Sequence, residues 1–210
     1  MLKILVADDH AIVREGLKQI LSESADMRVA GEAASGWQVL EMSRQKRWDM
    51  ILLDITMPGG NGLETLKQLK KEKPHLPVLM LSMHPEEQYA IRSIKAGVAG
   101  YLTKESAPQE LVKAIRKVAR GGRYISSSLS EKMAVYLQDD SEKSPHERLS
   151  DREYQVARMI ADGKTVTQIA DELCLSVKTI STNRTRALRK MGMHTNAEIT
   201  THFIKHGLAD

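Results

Sequence analysis

An alternation of short apolar runs with segments of helical spacing, through the first 120 residues, restricts the fold more than any other feature. The predicted strands are Leu2–Ala7, Met27–Ala33, Met50–Leu53, Val78–Leu81 and Gly100–Thr103. The predicted helices are Ala11–Leu21, Trp37–Arg44, Leu63–Lys71, Glu87–Lys95 and Glu110–Arg120. This regular alternation is typical of parallel βαβ units. We therefore expect residues 1–120 to form an α/β domain around a five-stranded, doubly wound, flavodoxin-like parallel sheet.

The pattern changes after the glycine pair at 121–122, which ends the fifth predicted helix. Residues 121–148 are polar and lack periodicity, except for the helical stretch SEKMAVYL at 130–137. They are predicted to be a linker with a partial helix.

Residues 149–210 carry helix signals and no strand signal, which predicts a separate all-α domain of four helices at 150–162, 166–173, 177–190 and 196–206. Three helix starts match the capping box, in which a hydroxyl and a carboxylate or amide three residues later satisfy free N–H groups. The pairs are Ser150 with Glu153, Thr165 with Gln168, and Thr195 with Glu198. Ser176 can cap the third helix alone.

Composition excludes several classes of protein. No apolar run approaches the roughly 20 residues that span a bilayer, and MLKILVADDH turns acidic too early for a secretory signal. The single cysteine, Cys174, excludes an internal disulfide and a cysteine metal cluster. It falls among predicted core positions, so a buried thiol is expected, and the expected location is cytoplasmic. Because the net charge is only +4, a nucleic-acid surface would require local clustering of basic residues.

Polar residues stand where four of the predicted strands end. Strand one ends at Asp8 and Asp9, strand three at Asp54, strand four at Ser82 and strand five at Lys104. The carboxyl ends of parallel strands meet at one edge of a sheet, where ligands bind. Clustered carboxylates suit Mg²⁺, and a carboxylate can attack phosphorus to form an aspartyl phosphate. Lys104 and Ser82 could then contact the phosphoryl oxygens.

Each of these residues has an ordinary structural alternative when taken alone. Asp9 could cap the first helix, Asp54 could be a turn residue, Ser82 could be a cap and Lys104 could be a solvated lysine. Their coincidence at one sheet edge favours a reactive site. Residues 57–60 are interpreted as a turn, and His84 as a surface histidine.

The motifs VADDH at 6–10, LLDITMPGGNG at 52–62, LMLS at 79–82 and AGYLTK at 99–104 resemble the receiver domain of bacterial response regulators. The resemblance implies that Asp54 is the phosphoacceptor and that Ser82 and Lys104 sense the phosphoryl group. It implies a Mg²⁺ site formed by Asp8, Asp9, Asp54 and the backbone carbonyl of Thr56, and a switch made of Ser82 and Tyr101. Many receivers have a proline after the lysine. Glu105 stands there, so a cis bond is not expected.

The segment SVKTISTNRTRALRK at 176–190 contains five basic residues and no acidic one. It follows a short helix and a tight turn, an arrangement typical of a helix-turn-helix, whose second helix enters the major groove. Basic side chains neutralise phosphates, and short polar side chains can reach base edges. The predicted DNA contacts are Lys178, Thr179, Ser181, Thr182, Asn183, Arg184, Thr185, Arg186 and Arg189.

Residues 149–210 resemble the LuxR-type DNA-binding domain through LSDREYQV, ADGKTVTQIADEL and LSVKTI. That family usually has lysine and histidine where Ser181 and Asn183 stand. Its last helix dimerises, so Ile199, Phe203 and Ile204 are either that seam or part of the core. With the receiver, the chain resembles the NarL/FixJ class of response regulators.

The resemblance implies a phosphorylation-controlled transcription regulator. A sensor histidine kinase would phosphorylate Asp54 with Mg²⁺, and the chain would dimerise and bind promoter DNA. A phosphohydrolase is disfavoured because Thr56 stands where such enzymes place a second acid. Nucleotide binding is disfavoured because ADDH replaces a Gly-rich turn. A pure protein-interaction module remains an alternative, against which the basic helix argues.

Overall fold

The computed structural model describes residues 1–57, 60–83, 86–125 and 144–209. The chain divides into two compact units, residues 1–136 and 137–210, and each has its own hydrophobic core. In this described part of the chain, no helix is both long enough and apolar enough to cross a membrane.

The first unit contains a parallel sheet of five strands with helices on both faces. Among its described residues, the strands in chain order are β1 Leu2–Ala7, β2 Met27–Ala33, β3 Met50–Asp54, β4 Thr56–Met57, β5 Gly60–Asn61, β6 Val78–Ser82 and β7 Gly100–Thr103. The helices are α1 Ala11–Ser22, α2 Gly36–Gln45, α3 Gly62–Glu72, α4 Glu86–Lys95 and α5 Ala107–Ala119. The main sheet has the order β2-β1-β3-β6-β7, and every adjacent pair is parallel. The predicted doubly wound sheet is confirmed.

The central strands are buried on both faces, as their uninterrupted apolar sequences predict. Every residue of β3 and β6 is buried. One face carries alternate side chains such as Ile4 and Leu52, which pack with α1 and α5. The other face is covered by α2, α3 and α4. Packing on both faces fixes the strand ends relative to one another, which positions the polar residues that follow them.

Two local features, the start of α5 and a bridge at Tyr124, differ from the predictions. The ends of the predicted turn at 57–60 pair as two short antiparallel strands, β4 with β5. The other two residues of that turn, Pro58 and Gly59, lie outside the described residues. The same holds for His84 and for the predicted linker helix at 130–137. Helix α5 begins three residues early, with Pro108 in its first turn, where a proline's missing N–H is not needed. Tyr124 forms a parallel bridge with Gly100.

The second unit is helical. A short 3₁₀ segment, Pro145–Arg148, precedes α6 Asp151–Ala161, α7 Val166–Glu172, α8 Val177–Met191 and α9 Asn196–Lys205. All three predicted capping boxes form, and the Ser176 hydroxyl accepts from the Thr179 N–H at 3.1 Å. The four predicted helices are therefore confirmed, since their start signals are local and the structure uses each of them.

The prediction of a buried Cys174 is wrong, because its side chain is exposed. Helix α7 ends at Glu172, and Cys174 takes a left-handed conformation with φ of 52°. The N–H groups of Cys174 and Leu175 donate to the carbonyls of Asp171 and Ala170, which is the Schellman arrangement. This turn points the thiol outward while Leu173 is buried.

Burial distinguishes between the two roles predicted for residues of the last helix, which are a dimer interface and the core of the domain. Ile199 and Phe203 are fully buried within the unit, whereas Ile204 is 53% exposed. The first two are therefore core residues of the domain, and Ile204 alone of the three is available for contact with another molecule.

Candidate functional site

Three side chains from distant parts of the first unit meet at the carboxyl edge of its sheet. Lys104 Nζ lies 2.6 Å from Asp8 Oδ2 and 2.8 Å from Asp54 Oδ2. The Asp8 and Asp54 side chains are 1% and 3% exposed, and that of Lys104 is 9% exposed. The sequence prediction that these residues converge is thus met by direct contacts between buried charges.

Sheet topology explains why they converge. Strand order reverses between β1 and β3, so the residues that follow these adjacent strands flank the crevice where doubly wound sheets bind ligands. Lys104 follows β7, and its N–H donates to the carbonyl of Ser82 at the end of β6, at 2.7 Å. Gly62, the first residue of α3, packs against the backbone of Asp54. A Cβ there would lie 2.2 Å from the Asp54 carbonyl oxygen, so this close approach requires glycine.

The buried pocket changes the acidity of Asp54. Burial, with a smaller effect from Asp8, raises the pKa of its carboxyl to about 6 against the opposing attraction of Lys104. Burial also lowers the pKa of Lys104, but the charges of Asp54 and Asp8 outweigh this effect, so that pKa is raised overall. A hydrogen bond from the Thr56 backbone N–H favours the ionised form of Asp54. The pocket therefore holds two carboxylates against one ammonium.

The pocket also presents carboxylate oxygens suited to a hard cation. Asp8 Oδ2 and Asp9 Oδ1 are buried without an aligned hydrogen-bond donor among the described residues, although Lys104 Nζ and His10 Nδ1 lie 2.6 Å and 2.9 Å away. Asp8, Asp9 and His10 bring ligand atoms within 4.8 Å of one another. The N-cap of α1 is His10 and not Asp9, so the alternative role of Asp9 as the cap does not apply. His10 was not among the predicted ligands, because no feature of the sequence marked it as one; in the structure it is exposed.

Ser82 and Tyr101 lie on the neighbouring strands β6 and β7. Ser82 is fully buried at the end of its strand, and Tyr101 is fully buried opposite Met80. The Tyr101 N–H donates to the Tyr124 carbonyl at 2.9 Å. No peptide bond in the described ranges is cis, which agrees with the expectation for Lys104–Glu105.

In the second unit, α8 has one face in the core and the other in solvent. Ile180, Ala187, Leu188 and Met191 are buried, and Ile180 packs against a cluster that includes Ile169 of α7. This packing holds α8 across the turn after α7, which is the geometry of a helix-turn-helix.

The solvent face of α8 forms a shallow basic cleft of about 520 Å³. Its lining residues were all predicted DNA contacts: Lys178, Ser181, Thr182, Thr185, Arg186 and Arg189. The hydroxyls of Thr182 and Thr185 donate to carbonyls four residues earlier, which leaves their lone pairs directed outward. The arrangement combines cations for phosphates with small polar groups for base edges.

The remaining predicted contacts of α8 lie outside this cleft. Arg184 Nε donates to Asn196 Oδ1 at 2.5 Å, and Asn183 Nδ2 donates to the Thr179 carbonyl at 2.9 Å. Lys190 Nζ donates to Glu153 Oε2 at 2.6 Å, joining α8 to the capping box of α6. The local sequence shows Lys190 only as part of the basic segment, since its partner lies 37 positions away.

Comparison with known proteins identifies both units. Residues 4–116 match the response regulator receiver domain, and residues 147–203 match the bacterial regulatory proteins of the luxR family. The response regulator GacA of Pseudomonas aeruginosa is 37% identical over 211 residues, covering 100% of this chain and 99% of that protein. The response regulator UvrY of Escherichia coli K12 is also 37% identical, with coverage of 100% and 97%.

Solved structures of RcsB from Salmonella resemble the whole chain. One is 28% identical with a TM-score of 0.71 and covers 98% of each chain. Another, bound to promoter P1flhDC in the presence of phosphomimetic BeF3⁻, is 27% identical with a TM-score of 0.68, covering 97% of this chain and 98% of that one. The two relatives of known sequence are both response regulators, and the second RcsB structure is a complex with promoter DNA. The chain therefore belongs to the two-component response regulators of the NarL/FixJ class, which join a receiver domain to a LuxR-type DNA-binding domain and regulate transcription under the control of phosphorylation.

Proposed function

We propose that Asp54 is the phosphoacceptor of this regulator and that a sensor histidine kinase is its phosphoryl donor. The observation that carries the proposal is the contact of one buried ammonium, Lys104, with both Asp8 and Asp54. A carboxylate oxygen of Asp54 attacks phosphorus, the new P–O bond forms, and the P–N bond to the donor imidazole breaks. A pKa near 6 leaves Asp54 mostly ionised, and therefore nucleophilic, at neutral pH.

The donor set fits Mg²⁺, because the pocket offers carboxylate oxygens that lack aligned donors. Asp8, Asp9, Asp54 and the Thr56 backbone carbonyl would hold the ion. When bound, it neutralises charge on the carboxylates and on the incoming phosphoryl group. In the phosphorylated state, Lys104 pairs with a phosphoryl oxygen, and the Ser82 hydroxyl donates to another.

The switch is proposed to consist of Ser82 and Tyr101. When the Ser82 hydroxyl turns toward the phosphoryl group, the space available to the buried Tyr101 ring changes. The backbone bond from Tyr101 to Tyr124 connects this change to the chain that leaves the receiver. Residues 1–120 are proposed to be the receiver, residues 121–148 the linker, and residues 149–210 the DNA-binding domain.

The output is proposed to be binding of promoter DNA by a dimer. Helix α8 would enter the major groove with its basic cleft facing the DNA. Lys178, Arg186 and Arg189 would contact phosphates, and Ser181, Thr182 and Thr185 would lie near base edges. Thr179, Asn183 and Arg184 lie on the same helix and would support its placement. The RcsB structure bound to a promoter with BeF3⁻ supports this reading by analogy. A cytoplasmic location, where promoter DNA and the kinase's phosphohistidine are accessible, follows from the same proposal.

Fluorescence anisotropy on a promoter-derived duplex pool tests the proposal. Wild type and Asp54→Ala are measured with and without beryllofluoride plus Mg²⁺. We expect the mimic to tighten binding for the wild type and to leave the variant unchanged. Equal tightening in both proteins would remove Asp54 from the mechanism. Absence of DNA binding in every state would favour a protein-interaction module.

A further inference from the structure

Three histidine rings gather in the second unit, away from both sites described above. His146 Nδ1 lies 3.0 Å from His202 Nε2. The ring centroids of His202 and His206 are 4.2 Å apart, and those of His146 and His206 are 5.6 Å apart. Three of the seven histidines of the chain therefore share one small region of one domain.

Two separate elements create this cluster. His202 lies in the last turn of α9, and His206 follows one turn later as its C-cap. His146 comes from the 3₁₀ segment that precedes α6. The rings of Tyr154 and Phe203 lie 6.5 Å and 6.4 Å from that of His146, so aromatic packing places the segment against α9.

Hydrogen bonding prepares the rings as ligands. His206 Nδ1 lies 2.8 Å from the His202 carbonyl oxygen, and since a carbonyl can only accept, Nδ1 carries the proton. The lone pair of neutral His206 is then on Nε2. Burial, with the nearby His206 and Lys205, lowers the pKa of His202, which favours the neutral imidazole that binds metals.

We infer that His146, His202 and His206 form a binding site for a divalent transition-metal cation of the zinc type. Two ligand atoms, His146 Nδ1 and His202 Nε2, are separated by 3.0 Å in a hydrogen bond. Nitrogens that each lie about 2.0–2.1 Å from one tetrahedral zinc ion are about 3.3–3.4 Å apart, so the ion would replace the shared proton after the pair opens by about 0.3 Å. The third ligand is the exposed His206, whose side chain would leave its hydrogen bond with the His202 carbonyl and rotate toward the other two rings. Water completes the coordination.

The chemistry distinguishes this site from the acidic pocket of the receiver. Imidazole nitrogens suit Zn²⁺, Cu²⁺ and Ni²⁺, whereas carboxylate and carbonyl oxygens suit Mg²⁺. A metal at the histidines would tie residues 145–148 to α9, and so fix the start of the DNA-binding domain against its last helix.

Isothermal titration of Zn²⁺ into the full-length, tag-free chain tests the inference. Excess Mg²⁺ occupies the carboxylates, and a Cys174→Ser background removes the exposed thiol. We expect one Zn²⁺ site, weakened at least about tenfold by His146→Asn or His202→Gln, since even changes to outer partners of metal ligands cost about 10- to 100-fold. His194→Asn is the matched control. It lies in the same domain, before the first turn of α9, and should leave affinity unchanged.

A second measurement covers the case in which His202→Gln unfolds the domain. Electron paramagnetic resonance of the Cu²⁺-loaded chain should show hyperfine lines from the bound nitrogens. His206→Gln should show fewer of these lines, and it should still fold because the His206 side chain is exposed and not part of the core. The inference is overturned if Zn²⁺ does not bind, if the histidine variants bind it as tightly as the control, or if the Cu²⁺ spectrum shows oxygen ligands only.

Discussion

The ammonium of Lys104 lies 2.8 Å from the Asp54 carboxylate, yet the pKa of that carboxyl is raised to about 6. The attraction is therefore outweighed by burial and by the second carboxylate, Asp8. The pocket therefore disfavours the ionised form of Asp54, and a bound cation would relieve this effect.

This imbalance predicts a pH-dependent stability difference between wild type and Asp54→Asn in the absence of divalent cations. Because the folded pKa lies above the ordinary value of 3.8, stability falls as pH rises from about 4 to about 6. The shift corresponds to about 3 kcal/mol. Urea unfolding from pH 4 to pH 7 should show the amide variant gaining stability over wild type by up to that amount. A constant difference over this range would contradict the raised pKa.

The basic cleft on α8 predicts different effects for two arginines of one helix. Arg186→Ala should weaken binding to all duplexes. It should also reduce the slope of log affinity against log salt by about 1, the value for the loss of one phosphate contact. Arg184→Ala, whose guanidinium is bonded to Asn196, should keep the wild-type salt slope and lower the free energy of unfolding. Anisotropy at several salt concentrations separates them. Equal loss of slope in both variants would place Arg184 on DNA phosphates as well.

The bond between Lys190, in the last turn of α8, and Glu153 predicts that substitutions of Glu153 lower the free energy of unfolding. Hydrogen bonds from Lys190 and Ser150 outweigh burial and lower the pKa of Glu153. Its contribution is present above pH 4.5 and is lost as pH falls below that value. Glu153→Gln keeps the capping bond and should cost about 1 kcal/mol, whereas Glu153→Ala should cost about 2 kcal/mol.

Glu172→Gln is the matched control for that prediction. Glu172 also pairs with a lysine, Lys164, but both side chains are more than a third exposed. Surface pairs of this kind contribute about 0–1 kcal/mol. Denaturant midpoints measured at pH 7 and pH 4 should separate the two pairs, and an equal loss for both glutamines would contradict a special role for Glu153.

The left-handed Cys174 predicts the effect of substitutions in the turn. A β-branched residue is poorly tolerated at φ of 52°, so Cys174→Val should lower stability by about 1–2 kcal/mol. Cys174→Gly should be neutral or stabilise the domain by up to about 1 kcal/mol. In the folded protein, the thiol should react with Ellman's reagent nearly as fast as in urea. Slow labelling would show that the thiol is protected.

Local signals explain most of what the sequence predicted correctly. Alternating apolar runs define the strands, and each capping box lies within four consecutive residues, so both can be read without knowledge of packing. The convergence of Asp8, Asp54 and Lys104 also followed, because parallel strands share one carboxyl edge.

The misses depend on packing or on backbone conformation. Helical spacing placed Cys174 in the core, but α7 stops before it and the Schellman turn reverses its direction. The pairing of Lys190 with Glu153 joins two helices whose relative placement no local pattern contains. The contact between His146 and His202 could not be predicted from a local pattern either, since it depends on how the segment before α6 packs against α9.

The bridge between Tyr124 and β7 has a mechanical consequence. The Tyr124 carbonyl accepts from the Tyr101 N–H at 2.9 Å, and the Tyr124 N–H donates to the Ala99 carbonyl at 3.0 Å. Tension applied to the chain beyond Ile125 is therefore borne by the backbone on either side of Tyr101 before it reaches the body of the sheet. A pull on the chain where it leaves the receiver would therefore load β7, the strand that carries Tyr101, before any other strand of the sheet.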